Sequence, residues 1–170
     1  MSLAVAVQMD PIEAVDIAAD STFRIMEEAA ARGQRLVVYT PDRLIMDEGR
    51  VMATGWPVTL RREVGNHVTK GPLETIDLAE WDVVWLRQDP PFDMGYITTT
   101  HILGRLSPGT LVVNDPFWVR NYPEKLLVLD FPDLTPPTMI ARDLTALKAF
   151  KARYGDMNIT PLYGNGGAGV

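Results

Sequence analysis

Cysteine is absent from all 170 residues, which excludes both a disulfide framework and a thiolate metal site. Histidine occurs only twice, and no basic cluster offsets a formal net charge of −6 and a pI near 4.9, a balance that argues against a nucleic-acid surface. No apolar run approaches the roughly 18 residues of a membrane span. The amino terminus has neither the basic region nor the cleavage site of a signal peptide, so the chain is expected to be soluble and cytoplasmic. The first strand-like segment is not followed by the glycine fingerprint of a dinucleotide-binding fold. Met9-Asp10-Pro11-Ile12 stands there instead, and this disfavours a nicotinamide-dependent oxidoreductase.

What the chain does have is a hydrophobic content of 46%, enough for a sizeable core in one domain, or in one domain with a piece of a second. Residues 3–8 are short, apolar and valine-rich, as a central parallel strand should be. Asp20 or Ser21 can cap a helix running to residue 32, with Phe23, Met26 and Ala30 at helical spacing and Gly33 closing it. A strand at 35–39 then completes a βαβ unit, for which a right-handed crossover is the default. Between residues 44 and 53, turn chemistry at Asp47-Glu48-Gly49 predicts a hairpin that extends beyond the sheet. Residues 67–75 read as a loop, 94–106 as a helix, 110–113 as a strand, 119–130 as helical, 138–140 as a short strand, and 144–154 as a helix capped by Asp143.

Chemistry gathers at strand ends. The apolar run 81–86 stops at Arg87-Gln88-Asp89-Pro90-Pro91-Phe92-Asp93. The two prolines cannot continue a ladder and turn the chain in a fixed direction. Arg87 could simply pair with Asp89 or Asp93 on the surface, an arrangement worth about 0 to 1 kcal/mol. Three strands, however, end in an acid followed by proline: Asp10-Pro11, Asp89-Pro90 and Asp115-Pro116. In a parallel sheet these ends share one edge, and ligands bind in the crevice beyond that edge. A second feature is the run Gly164-Asn165-Gly166-Gly167, whose uncovered amides could converge on a phosphate. It matches neither the P-loop nor a complete dinucleotide fingerprint, and a flexible tail is the other reading.

Met9-Asp10-Pro11-Ile12, Leu86-Arg87-Gln88-Asp89-Pro90-Pro91-Phe92-Asp93, Val113-Asn114-Asp115-Pro116, Glu124-Lys125-Leu126, Asp133-Leu134-Thr135-Pro136 and Pro161-Leu162-Tyr163-Gly164-Asn165-Gly166-Gly167 together resemble, in order and spacing, the prokaryotic glutathione synthetases. The resemblance spans the chain. It implies an α/β fold: a parallel-sheet, Rossmann-like pre-ATP-grasp domain over residues 1–121 with helices on both faces, then the incomplete beginning of an ATP-grasp domain over 122–170. The activity implied is that of a bacterial, ATP-dependent carbon-nitrogen ligase in glutathione biosynthesis, with Mg²⁺ as a further cofactor. It joins γ-glutamylcysteine to glycine through an acyl phosphate, and its partners include other copies of itself in a homo-oligomer.

Residue by residue, the resemblance puts Arg87 against a substrate carboxylate, where its planar fork can bind bidentately. Asp10, Ser21, Asp89 and Asn114 line the same pocket. Lys125, Thr160, Gly164, Asn165, Gly166 and Gly167 fall on the nucleotide side. No catalytic residue is assigned within the chain, and the metal ligands are expected beyond Val170. Thr160 stands where the family has a lysine, and losing that charge-assisted contact costs about 1.5 to 3 kcal/mol. The isolated chain is expected to be inactive because the metal-binding half is missing, and the alternative reading is a non-catalytic peptide-binding or self-associating module.

Overall fold

A computed structural model describes residues 2–106 and 108–163. The valine-rich opening forms β1 (Ala4–Gln8), buried from Val5 onward. A strand is enclosed in this way only in the middle of a sheet covered on both faces. A 3₁₀ turn at Ile12–Ala14 leads to helix α1 (Ser21–Ala31). Asp20 caps it, its carboxylate accepting the Phe23 amide at 2.6 Å. Thr22, Phe23, Met26 and Ala29 are the residues α1 buries, and Gly33, at φ +74°, ends the helix in the left-handed region. Strand β2 (Arg35–Tyr39) follows.

The expected hairpin forms from β3 (Leu44–Asp47) and β4 (Arg50–Leu60). Its two turn residues, Glu48 and Gly49, have φ of 44° and 86°, both positive as a two-residue hairpin turn requires. It does not extend beyond the sheet. β4 runs for 11 residues and pairs with four strands. Two of them, β5 (Val68–Lys70) and β6 (Glu74–Asp77), occupy the segment read from sequence as a loop. Gly55 and Pro57 disguise β4, since both disfavour a strand when judged alone. Gly55 is demanded by packing: a Cβ there would lie 2.6 Å from the Val38 carbonyl oxygen and 2.8 Å from Val37 Cγ1.

Strand β7 (Val83–Leu86), helix α2 (Met94–Leu103) and strand β8 (Leu111–Val113) come next. Asp93 caps α2 by accepting the Tyr96 amide at 2.9 Å. The helix stops at Leu103, three residues short of the sequence expectation, with Gly104 as its C-cap. The expected helix over 119–130 is divided into α3 (Pro116–Asn121), α4 (Glu124–Leu127) and a 3₁₀ turn at Val128–Asp130. Pro123, which has no N–H to donate, sits at the break. Helix α5 (Leu144–Tyr154) begins where expected, with Asp143 accepting the Thr145 amide at 2.9 Å. Residues 138–140 form no strand, since no described strand pairs with them.

Among the described residues the sheet has eight strands in the order β3-β4-β2-β1-β7-β8, with β5 and β6 attached to β4. The segment β2-β1-β7-β8 is parallel throughout. Alternation along its strands separates two cores. Val5, Val7 and Val38 meet Met26 and Ala29 of α1 on one face. Ala6, Val37, Tyr39, Val84 and Leu86 meet Leu103 of α2 on the other. Helices thus cover both faces of an α/β sheet, and the carboxyl ends of β1, β7 and β8 lie side by side.

Candidate functional site

β1 lies between β2 and β7, and the chain builds the sheet outward from it in both directions. Such a point of reversal opens a crevice between the carboxyl ends of two neighbouring parallel strands. Here those ends are Gln8-Met9-Asp10 and Leu86-Arg87-Gln88-Asp89. The two loops are fastened together. The Arg87 amide donates to the Gln8 carbonyl at 2.8 Å, and the Asp89 amide donates to Asp10 Oδ2 at 2.7 Å. The Gln8 side-chain amide also donates to Gln88 Oε1.

The half-buried guanidinium of Arg87 makes neither surface ion pair open to it from the sequence. Asp93 is occupied as the cap of α2. Arg87 Nε donates to Thr22 Oγ1 at 2.9 Å, and Nη2 donates to Ser21 Oγ at 2.9 Å. Both hydroxyls stand in the first turn of α1. They fix the orientation of the fork but carry no charge, so they leave the cation uncompensated. Arg87 takes part in no ion pair among the described residues. A guanidinium has five N–H donors, and Nη1 makes no hydrogen bond among the described residues.

Tyr96, on α2, stands out by no signal in the sequence. Burial pushes its phenol above the ordinary value of 10, Arg87 pulls it down, and Asp89 and Asp10 push it up. One phenol therefore senses all three charged groups. Phe92 packs against it at 5.0 Å between ring centroids, and on Tyr163 at 6.4 Å with an interplanar angle of 19°. Thr22 is the other residue missed; it stands next to Ser21 in the first turn of α1, and both hydroxyls accept from Arg87.

The remaining candidates are placed as follows. Asn114 is exposed at the end of β8. Asp115 caps α3 through the Phe117 and Trp118 amides at 2.8 and 3.3 Å, so the third acid-proline end is structural. Lys125 Nζ donates to the Pro161 carbonyl at 2.7 Å, bringing it close to Thr160, which is exposed coil. Gly164, Asn165, Gly166 and Gly167 lie outside the described residues. Among the described residues no group of three or more His, Asp or Glu side chains could hold a metal ion, so a magnesium site does not fit here and no step is derived through one. No helix among them is long and apolar enough to cross a membrane.

A cavity of about 320 Å³ adjoins the crevice, lined by Asp10, Ile12, Arg43, Trp56 and Lys70 among others. Met9 and Asp10 belong to both places, and Arg87 is not among the residues that line this cavity.

Comparison with known proteins agrees with this architecture. Residues 3–120 match the family model "Prokaryotic glutathione synthetase, N-terminal domain", and residues 124–170 match "Prokaryotic glutathione synthetase, ATP-grasp domain". A glutathione synthetase from Mesorhizobium japonicum is 54% identical over 170 residues, covering 100% of this chain and 54% of the relative. One from Agrobacterium fabrum is 54% identical over 166 residues, 98% of this chain and 52% of the relative. One from Vibrio vulnificus is 39% identical over 171 aligned positions, 100% of this chain and 54% of the relative. The chain thus spans about half the length of the curated relatives it matches. On the strength of both family matches and of this identity along its whole length, the chain belongs to the prokaryotic glutathione synthetase family.

Proposed function

We propose that this chain carries the peptide-recognition side of a bacterial ATP-dependent ligase that joins γ-glutamylcysteine to glycine. The observation that carries the reading is the Arg87 guanidinium, held by the Ser21 and Thr22 hydroxyls at the sheet's switch point with no carboxylate paired to it among the described residues. Asp10 and Asp89 belong to the same pair of strand ends, the Asp89 amide donating to Asp10 Oδ2 at 2.7 Å. A cation and two anions on one edge complement a zwitterionic peptide, whose carboxylate would take the arginine and whose ammonium would take the acids. Asn114, at the neighbouring strand end, would contribute its amide.

ATP use is implied by the family. Lys125 and Thr160 would face the nucleotide together with Gly164 to Gly167. The described residues form too little of that site for any step of the reaction to be derived through it. The division into residues 1–121 and 122–170, a magnesium requirement, a cytoplasmic location and a homo-oligomeric state are parts of the same proposal. So is the inactivity of these 170 residues on their own, which would bind peptide without ligating it.

Calorimetric titration of the purified chain tests the reading. Binding of γ-glutamylcysteine that is lost in Arg87→Ala supports it. Binding of NAD, peptide binding indifferent to Arg87, or ligation by the isolated chain would each overturn a stated part.

A further inference from the structure

Asp10 sits on the turn that follows β1, and that turn is gripped from outside the sheet's central strands. His67, just before β5, is buried at 5% exposure. Its Nε2 lies 2.7 Å from the carbonyl oxygen of Ile12. A carbonyl can only accept, so Nε2 carries the proton. The imidazole also meets Phe23 of α1 edge-on, at 5.4 Å between ring centroids. Lys70, at the other end of β5, is paired with the carboxylate of Glu13. Arg62, on the same arm, bonds Glu27 of α1 at 3.1 Å. One arm, residues 61–70, therefore holds both the 3₁₀ turn next to Asp10 and the helix whose first residues orient Arg87.

We propose that His67 is a positioning residue: its hydrogen bond to the Ile12 carbonyl fixes the turn at which Asp10 receives the Asp89 amide, and so fixes the spacing of the two acids from Arg87. The bond is buried, and the side chain is braced by an aromatic ring. The Ile12 side chain beneath it is only 2% exposed. The turn has little internal support, since its own backbone bonds are Ala14 to Pro11 at 2.9 Å and Val15 to Ile12 at 3.4 Å. Loosening it would release Asp10 first, because Asp10 is the exposed end that spans the crevice. The ligand part of this inference rests on the function proposed above. The geometric part does not.

The test compares His67→Gln, which keeps an N–H donor, with His67→Leu and His67→Phe, which keep apolar bulk without one. Amide hydrogen exchange is followed at Asp89, with Val38 of β2 as an internal reference, and γ-glutamylcysteine affinity is measured on the same samples. The donor-less variants are expected to exchange Asp89 about tenfold faster than wild type, the equivalent of one buried hydrogen bond. Val38 should stay protected, peptide affinity should fall by a similar factor, and the glutamine variant should keep wild-type protection. Unchanged protection at Asp89 in the leucine and phenylalanine variants overturns the proposal. So does a loss of protection at Val38 equal to that at Asp89, or global unfolding of both donor-less variants, since either makes His67 a general stabiliser. If wild type binds no peptide, the functional reading fails while the exchange result still decides the role of His67.

Discussion

The Asp89 backbone amide is bonded to the Asp10 carboxylate at 2.7 Å across 79 residues of sequence. This contact closes the loop after β1 onto the loop after β7, and it consumes one oxygen of Asp10. The other oxygen and the Asp89 carboxylate take part in no hydrogen bond or ion pair among the described residues, and the orientation of Arg87 is set by the Ser21 and Thr22 hydroxyls.

Arg87→Ala is expected to weaken γ-glutamylcysteine binding by about 3 kcal/mol, roughly two orders of magnitude, because a ligand carboxylate would be left without its cation. Arg87→Lys should recover only part of this. A point-charge ammonium cannot bond Ser21 and Thr22 while presenting a fork. Calorimetry on the three proteins measures the series, and equal affinities for the lysine and wild-type forms would contradict the fork.

Glu13 supplies a pH-dependent term. The hydrogen bond from Lys70 is the main cause holding its carboxyl below the ordinary value of 4.5, with burial opposing and the charges of Lys70 and His67 assisting. A carboxyl whose folded value is depressed contributes stability above its unfolded value and loses it as pH falls through the folded value. Thermal unfolding of wild type and Glu13→Gln should therefore differ near neutrality and converge in acid below 4.5. A gap that widens on acidification would contradict the assignment.

Gly55→Ala should destabilise the fold by about 1 to 3 kcal/mol. The added methyl would meet the Val38 carbonyl oxygen at 2.6 Å, and a backbone atom in the centre of a sheet cannot move aside. Urea denaturation gives the difference. The same substitution at Gly109, where a Cβ would meet nothing closer than 3.7 Å, serves as a control.

Tyr39 is 1% exposed, and its hydroxyl has no hydrogen-bond partner among the described residues. Burial accordingly pushes its phenol above the ordinary value. Replacing an orphaned buried hydroxyl by hydrogen relieves a desolvation cost, so Tyr39→Phe should raise stability by about 1 kcal/mol. A lower denaturation midpoint in the variant would show that the hydroxyl has a partner, such as a bound water.

Sequence made the parallel half of the sheet legible because local signals and tertiary fate agree there. β1, α1 and β2 have the apolar period, the Asp20 cap and the Gly33 terminator of a βαβ unit, and each appears within a residue or so of its expected limits. Beyond the expected β3–β4 hairpin, the antiparallel half was hidden for the opposite reason. β4 contains Gly55 and Pro57, and β5 and β6 are only three and four residues long. Such strands exist through their neighbours, not through propensity. The short strand expected at 138–140 fails by the same logic, having no described partner.

For the site, residue chemistry alone determined that charge and proline gather at three strand ends, and the family pattern singled out Arg87, Asp10 and Asp89. Tertiary structure decided which partners each of them meets. It brought two of the acid-proline ends together through β1 and β7 and made the third a helix cap. It turned Arg87 away from nearby acids toward Ser21 and Thr22, 66 and 65 residues distant, and it placed Tyr96 among the charges. It also brought His67 against a carbonyl 55 residues away. Residue type fixes which bonds a side chain can make, but strand order and helix placement determine which partners come within reach.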